Sequence, residues 1–436
     1  MNVSVLQIFL HKQPVGKLFK FFNNTAEPVI RFVADEPFID LTPQPLLSLS
    51  LLADDPQQQR AFWHDVTRQA AFNGVGGRLP AFFQNMLPEG VFRRHLAQER
   101  GCKEDDHFEL LAASGLDLPG AVRALPANIS REELSRLVTQ DNDALEMSVT
   151  ADPLPMGVSI SGMQPKLGLI EEGGRYVARK RNGVTRIIGK LPQVDRDLLP
   201  EVEFLSMKLA EAAGVHVCEI SLEPLTKLNI EHGYTLGGSS NFLAVKRFDR
   251  IGAARIHCED FAQALGVDPQ NKYSGATYAA MAAMMMRHPS MGEPAVHQLL
   301  RQIVVNDLLG NYDAHLKNFC VIYPEWNTPV LAPAFDIVAW SVYLDGHGSG
   351  LALYRENDPP SGHQPNRISP ATLREFCARV GVLEKPCAAV VKDTVRLAAS
   401  TWEAMIEASA MTPLQKEKLK ARFRNHPYMQ RHVSSH

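Results

Sequence analysis

The sequence predicts an α+β protein with two lobes, in which a β-rich N-terminal region precedes an all-helical C-terminal lobe. Strand patterns dominate the first 50 residues and return between residues 158 and 250, whereas helical spacing dominates from residue 258 onward. The length of 436 residues corresponds to about two to four structural units. These observations favour a chain of several packed units with its helices gathered toward the C-terminus.

The first 50 residues alternate apolar and polar positions and are interrupted by Asn23-Asn24 and by Pro28, Pro37, Pro43 and Pro45. This pattern is typical of short strands joined by turns. From about residue 56 the spacing becomes helical. We therefore expect a β-rich N-terminal subdomain that includes some helices and extends over residues 1–125.

One further helix is predicted by Ser130 and Glu133, which together form a capping box. A connector that contains two prolines follows at residues 151–157. Residues 126–157 are therefore expected to be a helix and its connector, with a domain boundary after them.

Two hairpins are predicted next, because Gly173-Gly174 and Asn182-Gly183 are dipeptides that type I′ turns favour. Three more elements are expected in the same unit: a helix at about 200–213, and strands at 215–223 and 242–250. Together they predict a β-rich lobe over residues 158–250, followed by the helical C-terminal lobe over residues 251–436.

A dense polar segment follows a buried helix in the C-terminal lobe. Apolar residues recur at three- and four-residue steps in VHQLLRQIVVNDLLG, and Gly310 ends the helix. Asp313, His315, Lys317 and Asn318 then fall within six positions. Asp313 and Asn318 have the spacing of a kinase catalytic loop, in which the Asp accepts the proton of the substrate hydroxyl and the Asn binds magnesium.

A second carboxylate is expected beside this loop. The strands FCVIY and VLAPAF predict a hairpin, and Asp336 follows its second strand. Side-chain oxygens of this kind, together with water, suit Mg²⁺ and bound nucleotide phosphates. The spacing of Asp313 and Asn318 taken alone also fits an ordinary polar turn, in which both side chains bond turn amides.

The β-rich lobe contains residues suited to phosphate binding. SISGMQPK at 159–166 offers a glycine, two hydroxyls and a lysine, and its backbone N–H groups would cradle phosphates. Lys190 lies on a predicted strand from which it would reach the α- and β-phosphates, with Glu203 on the next helix as its partner. The strand FLAVKRFDR would link the lobes, and adenine would lie against the backbone of residues 246–248. The segment SISG alone is also typical of an ordinary turn.

In this order, SISGMQPK, IIGKLP, VKRFDR, EDFAQALGV with KYSG, NYDAHLKNF and AFDI resemble the HipA family of serine/threonine protein kinases, the toxins of HipBA-type modules. The N-terminal stretches VGKL, LSLSLL, NMLPEG and DLPGAV are similar to that family as well. The resemblance therefore covers nearly the whole chain. It implies a bilobal kinase-like fold.

The resemblance also implies the roles of individual residues. Asp313 would be the catalytic base, and Asn318 and Asp336 would bind Mg²⁺. Ser159 matches the serine that family members phosphorylate on themselves, and Ser161, on the other side of Ile160, is a second candidate for self-phosphorylation. The residues expected to bind ATP are Ser161, Gly162, Met163, Gln164, Pro165, Lys166, Lys190, Lys246, Arg247, Phe248, His315, Lys317 and Phe335.

These features predict an ATP-dependent serine/threonine protein kinase that acts on a protein substrate. An aminoacyl-tRNA synthetase or another translation factor would be its target, and a HipB-like DNA-binding antitoxin its partner. The net charge of −3 argues against direct coating of nucleic acid, so DNA would be reached only through the antitoxin.

No apolar stretch approaches the roughly 20 residues that a membrane span needs, and the N-terminus lacks the features of an export signal. We therefore expect a cytoplasmic protein without a membrane partner. Two alternatives stay open for its function: a small-molecule kinase, and a kinase-like corepressor of a DNA-binding antitoxin that has little catalytic activity.

Overall fold

The structure is a computed structural model that describes residues 2–22, 27–129, 146–147, 150–154, 157–160, 164–178, 183–346, 349–355 and 366–433. The predicted α+β class is confirmed, with a β-rich N-terminal region and a mainly helical C-terminal part. The predicted helix with the capping box of Ser130 and Glu133 lies outside the described residues.

The N-terminal unit is built on a five-stranded sheet in the order β3-β2-β1-β4, with β5 parallel to β1. Its strands are β1 (Asn2–Leu10), β2 (Gln13–Phe22), β3 (Pro28–Ala34), β4 (Val122–Pro126) and β5 (Glu146–Met147). Its helices are α1 (Glu36–Ile39), α2 (Gln59–His64), α3 (Ala81–Gln84), α4 (Gly90–Arg100) and α5 (His107–Ser114). Phenylalanine rings on β3, α3 and α5 are buried between sheet and helices, and α4 joins this apolar core through Leu96 and Ala97.

The second unit is a six-stranded sheet in the order β10-β7-β6-β8-β11-β9. The strands are β6 (Lys166–Glu172), β7 (Arg175–Ala178), β8 (Ile187–Lys190), β9 (Ile220–Pro224), β10 (Leu228–Asn229) and β11 (Asn241–Lys246). Helix α6 (Leu199–Ala212) lies between β8 and β9 in the chain, has Pro200 in its first turn and is followed by Gly214 at φ +87°. The predicted helix at about 200–213 is therefore confirmed.

One of the two predicted hairpins is wrong. Gly173 and Gly174 form the turn between β6 and β7, both with positive φ, as expected. However, β8 pairs with β6 on the side away from β7, so Asn182-Gly183 cannot close a hairpin between β7 and β8. Asn182 itself lies outside the described residues. Pairing of β8 with both β6 and β11 determines its place in the sheet.

The C-terminal part contains seven helices in its described residues: α7 (Phe261–Ala264), α8 (Tyr278–Arg287), α9 (Gly292–Leu309), α10 (Pro370–Val380), α11 (Glu384–Ala408), α12 (Pro413–Arg424) and α13 (Pro427–Val433). It is not purely helical, because it also contains two small sheets. Their strands are β12 (Arg250–Ile251), β13 (Ala254–Arg255), β14 (His257–Asp260), β15 (Cys320–Glu325) and β16 (Thr328–Leu331). The predicted hairpin β15–β16 is present, and β14 pairs with it.

The N-terminal unit is attached to β14 by buried polar contacts. Glu259 accepts hydrogen bonds from Ser48 Oγ at 2.6 Å and from the Leu49 N–H at 2.9 Å. On the same strand, His257 Nε2 donates to the Leu47 carbonyl oxygen at 2.9 Å. Buried polar groups with partners on another unit fix the relative position of the two.

The His257→Gln variant is expected to resist acid better than the natural chain. Burial lowers the pKa of His257 to about 4. The contribution of the neutral ring to the free energy of unfolding is therefore complete above about pH 6.5 and is lost as the pH falls through 4. Glutamine keeps a donor for Leu47 but binds no proton. Urea unfolding at pH 7 and pH 4 should show that the variant loses about 3 kcal/mol less than the natural chain. The exposed His95→Gln variant is the control, and an equal loss in all three proteins would contradict the prediction.

In the part of the chain that the structure describes, each helix is too short or too polar to cross a lipid bilayer.

Candidate active site

The predicted helix-exit loop lies where the sheets and the helical part meet. Helix α9 ends at Gly310, which adopts a left-handed conformation with φ +67°. The chain then passes Asp313 and makes a single tight turn, Leu316–Asn318, before it enters β15. Asn318 Nδ2 donates to the carbonyl oxygen of Asp313 at 2.8 Å. The hydrogen bond fixes the two predicted functional residues at opposite ends of one short loop.

Asp313 is bonded by a tyrosine that the sequence analysis did not single out. The Tyr273 hydroxyl donates to Oδ1 of Asp313. Burial raises the pKa of Asp313, although the hydrogen bond from Tyr273 acts in the opposite direction. A carboxylate that is held by a donor and has a raised pKa is suited to accept a proton from a bound hydroxyl.

A buried group of charged side chains lies next to this loop. Lys166 on β6 and Lys190 on β8 are directly opposite each other in the sheet register. Lys190 Nζ bonds both Glu203 on α6 and Asp336 Oδ1, and Lys166 Nζ is 3.7 Å from Asp336 Oδ2. The expected pair of Lys190 and Glu203 is thus present, and Asp336 joins it.

The charges in this group determine their protonation. Burial alone would raise the pKa of Asp336, but the ammonium groups of Lys166 and Lys190 hold it well below its usual range. Burial opposes the charge of Lys190, yet Asp336 and Glu203 hold its pKa above the ordinary value. The lysine and the aspartate are therefore both charged at neutral pH, and they bond each other.

Two cavities meet at this group. The first is lined by Phe248 and Phe335, whose ring centroids are 5.6 Å apart. The second is lined by Asp313 and Asn318. Lys166 and Asp336 line both cavities. The arrangement places an apolar compartment on one side of the charged group and the predicted catalytic loop on the other.

The linker residues 246–248 line the first cavity. The Lys246 ammonium points to Glu219 at 2.7 Å, and the guanidinium of Arg247 is buried against Asp249, at 2.7 and 2.9 Å. Neither cationic group is therefore directed at a ligand in the cavity. Contacts from Lys246 and Arg247 would come from their backbone, whereas Phe248 offers its ring.

The predicted phosphate loop is only partly within the described residues. Ser161, Gly162 and Met163 lie outside them. Gln164 lines the second cavity and donates to the Leu191 carbonyl at 3.3 Å, and the Pro165 carbonyl accepts from the Leu191 N–H at 2.9 Å. These contacts fasten the end of the loop to the segment after β8.

Ser159 lines the first cavity and is only 3% exposed. Its hydroxyl donates to the Met86 carbonyl oxygen in the N-terminal unit. Asp313 lines the other cavity. In this conformation Ser159, one of the two predicted sites of self-phosphorylation, is not presented to the predicted base.

His315 and Lys317 are divided between the two cavities. His315 lines the second, and burial lowers its pKa to about 3, so the ring is neutral at pH 7. Lys317 lines the first cavity, and its ammonium bonds Glu89 at 2.7 Å and the Asn85 carbonyl at 3.1 Å. Lys317 is thus held by the N-terminal unit.

Glu89, Lys272 and Tyr273 are site residues that the sequence reasoning missed. Glu89 and Tyr273 line the cavity of Asp313. They belong to NMLPEG and KYSG, which carried part of the family resemblance but were given no role. The signal in the sequence was that each of these motifs contains charged or hydroxyl-bearing residues.

The side chains present fit a magnesium ion bound together with a nucleotide. No group of three or more His, Cys, Asp and Glu side chains in the described ranges is arranged to hold a metal. Asn318 and Asp336 nevertheless line one cavity and offer an amide and a carboxylate oxygen. Mg²⁺ commonly takes one or two protein oxygens and completes its shell with phosphate oxygens and water.

The fold and the site define a bilobal protein of the kinase-like class: a strand lysine paired with a helix glutamate faces an Asp/Asn loop that follows a buried helix. Residues 6–125 match the model of the HipA N-terminal domain, and residues 158–402 match the HipA-like C-terminal domain. The chain belongs to the HipA family.

Similar proteins agree with this assignment. Y4dM of Sinorhizobium fredii, which is named as a kinase, is 32% identical over 409 residues, and the match covers 92% of each chain. The serine/threonine-protein kinase toxin HipA of Shewanella oneidensis is 25% identical over 387 residues, which cover 82% of this chain and 83% of that protein. A solved structure of the Shewanella oneidensis toxin–antitoxin system, HipA and HipB with operator DNA, aligns over 99% of both chains at 21% identity and a TM-score of 0.67.

Proposed function

We propose that this protein is a serine/threonine protein kinase that transfers the γ-phosphoryl group of ATP in the presence of Mg²⁺. The observation that carries the proposal is the charged wall of Lys166 and Asp336, which separates an apolar cavity from the cavity of Asp313. A nucleotide in the first cavity would extend its phosphates to this wall, and an acceptor hydroxyl would approach from the second.

Each group of residues would have its own role in phosphoryl transfer. Phe248 and Phe335 would enclose the base, and Lys166 and Lys190 would hold phosphate oxygens. Magnesium, held through Asn318 and Asp336, would supply positive charge to the phosphates. Asp313 would orient the acceptor hydroxyl and accept its proton, so catalysis would consist mainly of positioning and charge stabilisation.

The finer assignments follow from the family. The substrate would be a protein, such as an aminoacyl-tRNA synthetase or another translation factor, in the cytoplasm. A HipB-like DNA-binding antitoxin would be the partner, supported by the likeness to the Shewanella chain from a complex with HipB and operator DNA. We propose the unit boundaries 1–125, 126–157, 158–250 and 251–436.

Self-phosphorylation at Ser159 or Ser161 would regulate the enzyme. A phosphate adds a charge of about −1.5 to −2, which would compete with ATP for the lysines. Because the Ser159 hydroxyl is buried on the Met86 carbonyl, its segment would have to leave this position before it could react. The modified serine would not fit back beside a carbonyl oxygen, so the change would persist.

The test compares brief production of the natural chain with the Asp313→Asn variant in cells, followed by phosphoproteomics and intact-mass measurement. We expect new phosphoserine or phosphothreonine sites in a small set of proteins, and addition of about 80 Da to the natural chain itself, which is the mass of one phosphate group. Asp313→Asn should produce neither. Phosphorylated small molecules without phosphoprotein would favour a small-molecule kinase, and DNA-dependent repression without any transfer would favour a corepressor.

A further inference from the structure

We propose that the N-terminal unit positions the catalytic base through three side chains, Glu89, Lys272 and Tyr273. The inference rests on the proposed function, because it concerns the base of that reaction. Glu89 belongs to the N-terminal unit, Lys272 and Tyr273 to the loop before α8, and all three line the cavity of Asp313. Each side chain contacts the next.

Tyr273 is the link that touches the base. Its hydroxyl donates to Oδ1 of Asp313, although the residue is 45% exposed. An exposed phenol would ordinarily share its hydrogen bonds with water, so a fixed bond requires a fixed ring. The edge-on contact with His315, at 5.0 Å between centroids and 77° between planes, supports one side of the ring.

Lys272 supports Tyr273 and is itself held by Glu89. Its ammonium lies 5.7 Å from the centroid of the Tyr273 ring, within the range of a cation–π contact. The same ammonium is 3.1 Å from Oε2 of Glu89. A lysine has many rotamers, and the carboxylate restricts it to the one that covers the ring.

Glu89 is in turn anchored by the catalytic loop. Its Oε1 is 2.7 Å from Nζ of Lys317, a residue buried four positions after Asp313. Burial would raise the pKa of Glu89, but Lys317 and Lys272 lower it to about 2, so the carboxylate is charged at neutral pH. The contacts form a closed circuit. It leaves the catalytic loop at Asp313, passes through Tyr273, Lys272 and Glu89, and returns to the same loop at Lys317.

This circuit predicts an effect on turnover and not on ATP binding. Lys272 and Tyr273 line the second cavity but not the first, where the nucleotide would lie. Displacement of a catalytic group by about 1 Å can reduce a rate about 100-fold. Loss of a link should therefore lower kcat while KM for ATP stays constant.

The experiment uses Lys272→Met, Tyr273→Phe and the double variant. Glu89→Gln is less suitable, because it would leave Lys317 buried without its carboxylate and endanger folding. We expect each single variant to lower kcat about 10- to 100-fold with KM for ATP within about twofold. Because both residues act through one hydrogen bond, the double variant should be no slower than Tyr273→Phe.

The matched control is Lys208→Met, which breaks an exposed pair with Glu211 (2.9 Å) on α6 and should leave kcat unchanged. A folded Lys272→Met protein with natural kcat would overturn the inference, as would additive effects in the double variant. Faster transfer by Tyr273→Phe would also overturn it, because the tyrosine would then only block the base. If the natural chain itself transfers no phosphate, the proposed function fails and the inference with it, so the two failures are distinguishable.

Discussion

The Asp336→Asn variant is expected to transfer phosphate about 100- to 1,000-fold more slowly than the natural chain, the usual effect of removing one group that stabilises charge in the transition state. Asp336 bonds Lys190, lies 3.7 Å from Lys166 and is the proposed carboxylate ligand of magnesium. Asparagine keeps the shape of the side chain. It also tolerates the left-handed backbone of Asp336, where φ is +58°. The measurement is the rate of transfer across a magnesium titration.

Asp393→Asn provides the matched control. Asp393 is half-buried on α11 and pairs with Arg396 at 2.7 Å and with Arg301 at 3.1 Å. Its loss should change the rate little, because neither arginine lines the two cavities. Circular dichroism would establish that both variants are folded. An Asp336→Asn protein that is folded and as fast as the natural chain would remove Asp336 from the magnesium site. Recovery of the full rate at high magnesium would mean that the carboxylate contributes only affinity for the metal.

The Asp117→Asn variant is expected to lose about 3–5 kcal/mol of unfolding free energy. Asp117 comes from the N-terminal unit and is fully buried. Its Oδ1 is 3.0 Å from Arg250, and its Oδ2 accepts from Thr185 Oγ1 at 2.8 Å. Once Asp117 has lost its charge, the carboxylate that remains close to Arg247 and Arg250 in the described structure is that of Asp249. Urea denaturation would measure the loss.

Asp65→Asn is the control for this prediction, because Asp65 belongs to the same unit and faces Arg68 at 4.0 Å on the surface. Loss of this pair should lower the free energy of unfolding by at most about 1 kcal/mol. Equal stability losses in the two variants would contradict the importance of the buried cluster. The cluster also holds Arg247 beside the first cavity, so weaker ATP binding should accompany the destabilisation of Asp117→Asn.

The helix-exit loop could be predicted from sequence because its determinants are local. The apolar face of α9, Gly310 as its end and the hairpin after Asn318 all lie within about 45 residues of one another along the chain, and ordinary spacing rules apply to them. The pair of Lys190 and Glu203 was also within reach, since a strand and the next helix bring them together. In each case a short stretch of chain specifies the neighbour.

The rest depended on contacts between distant parts of the chain. Glu89 and Lys317 are 228 positions apart, and no periodicity in either segment indicates the other. The place of β8 was mispredicted for the same reason: Asn182-Gly183 carries a local turn preference, whereas the pairing of β8 with β6 and β11 is a property of the whole sheet. The burial of the Arg247 guanidinium depends in part on Asp117, which is distant in the chain but only 3.7 Å away in the structure.

The wall that the two cavities share would make the proposed ligands interdependent. Lys166 and Asp336 line both compartments, so a nucleotide that draws these side chains toward its phosphates alters the charge that an acceptor meets on the other side. By thermodynamic linkage, an acceptor must then change the affinity for nucleotide by the same factor. In the proposed reaction, heterotropic cooperativity between nucleotide and acceptor would require no domain rotation, because Lys166 and Asp336 line both cavities.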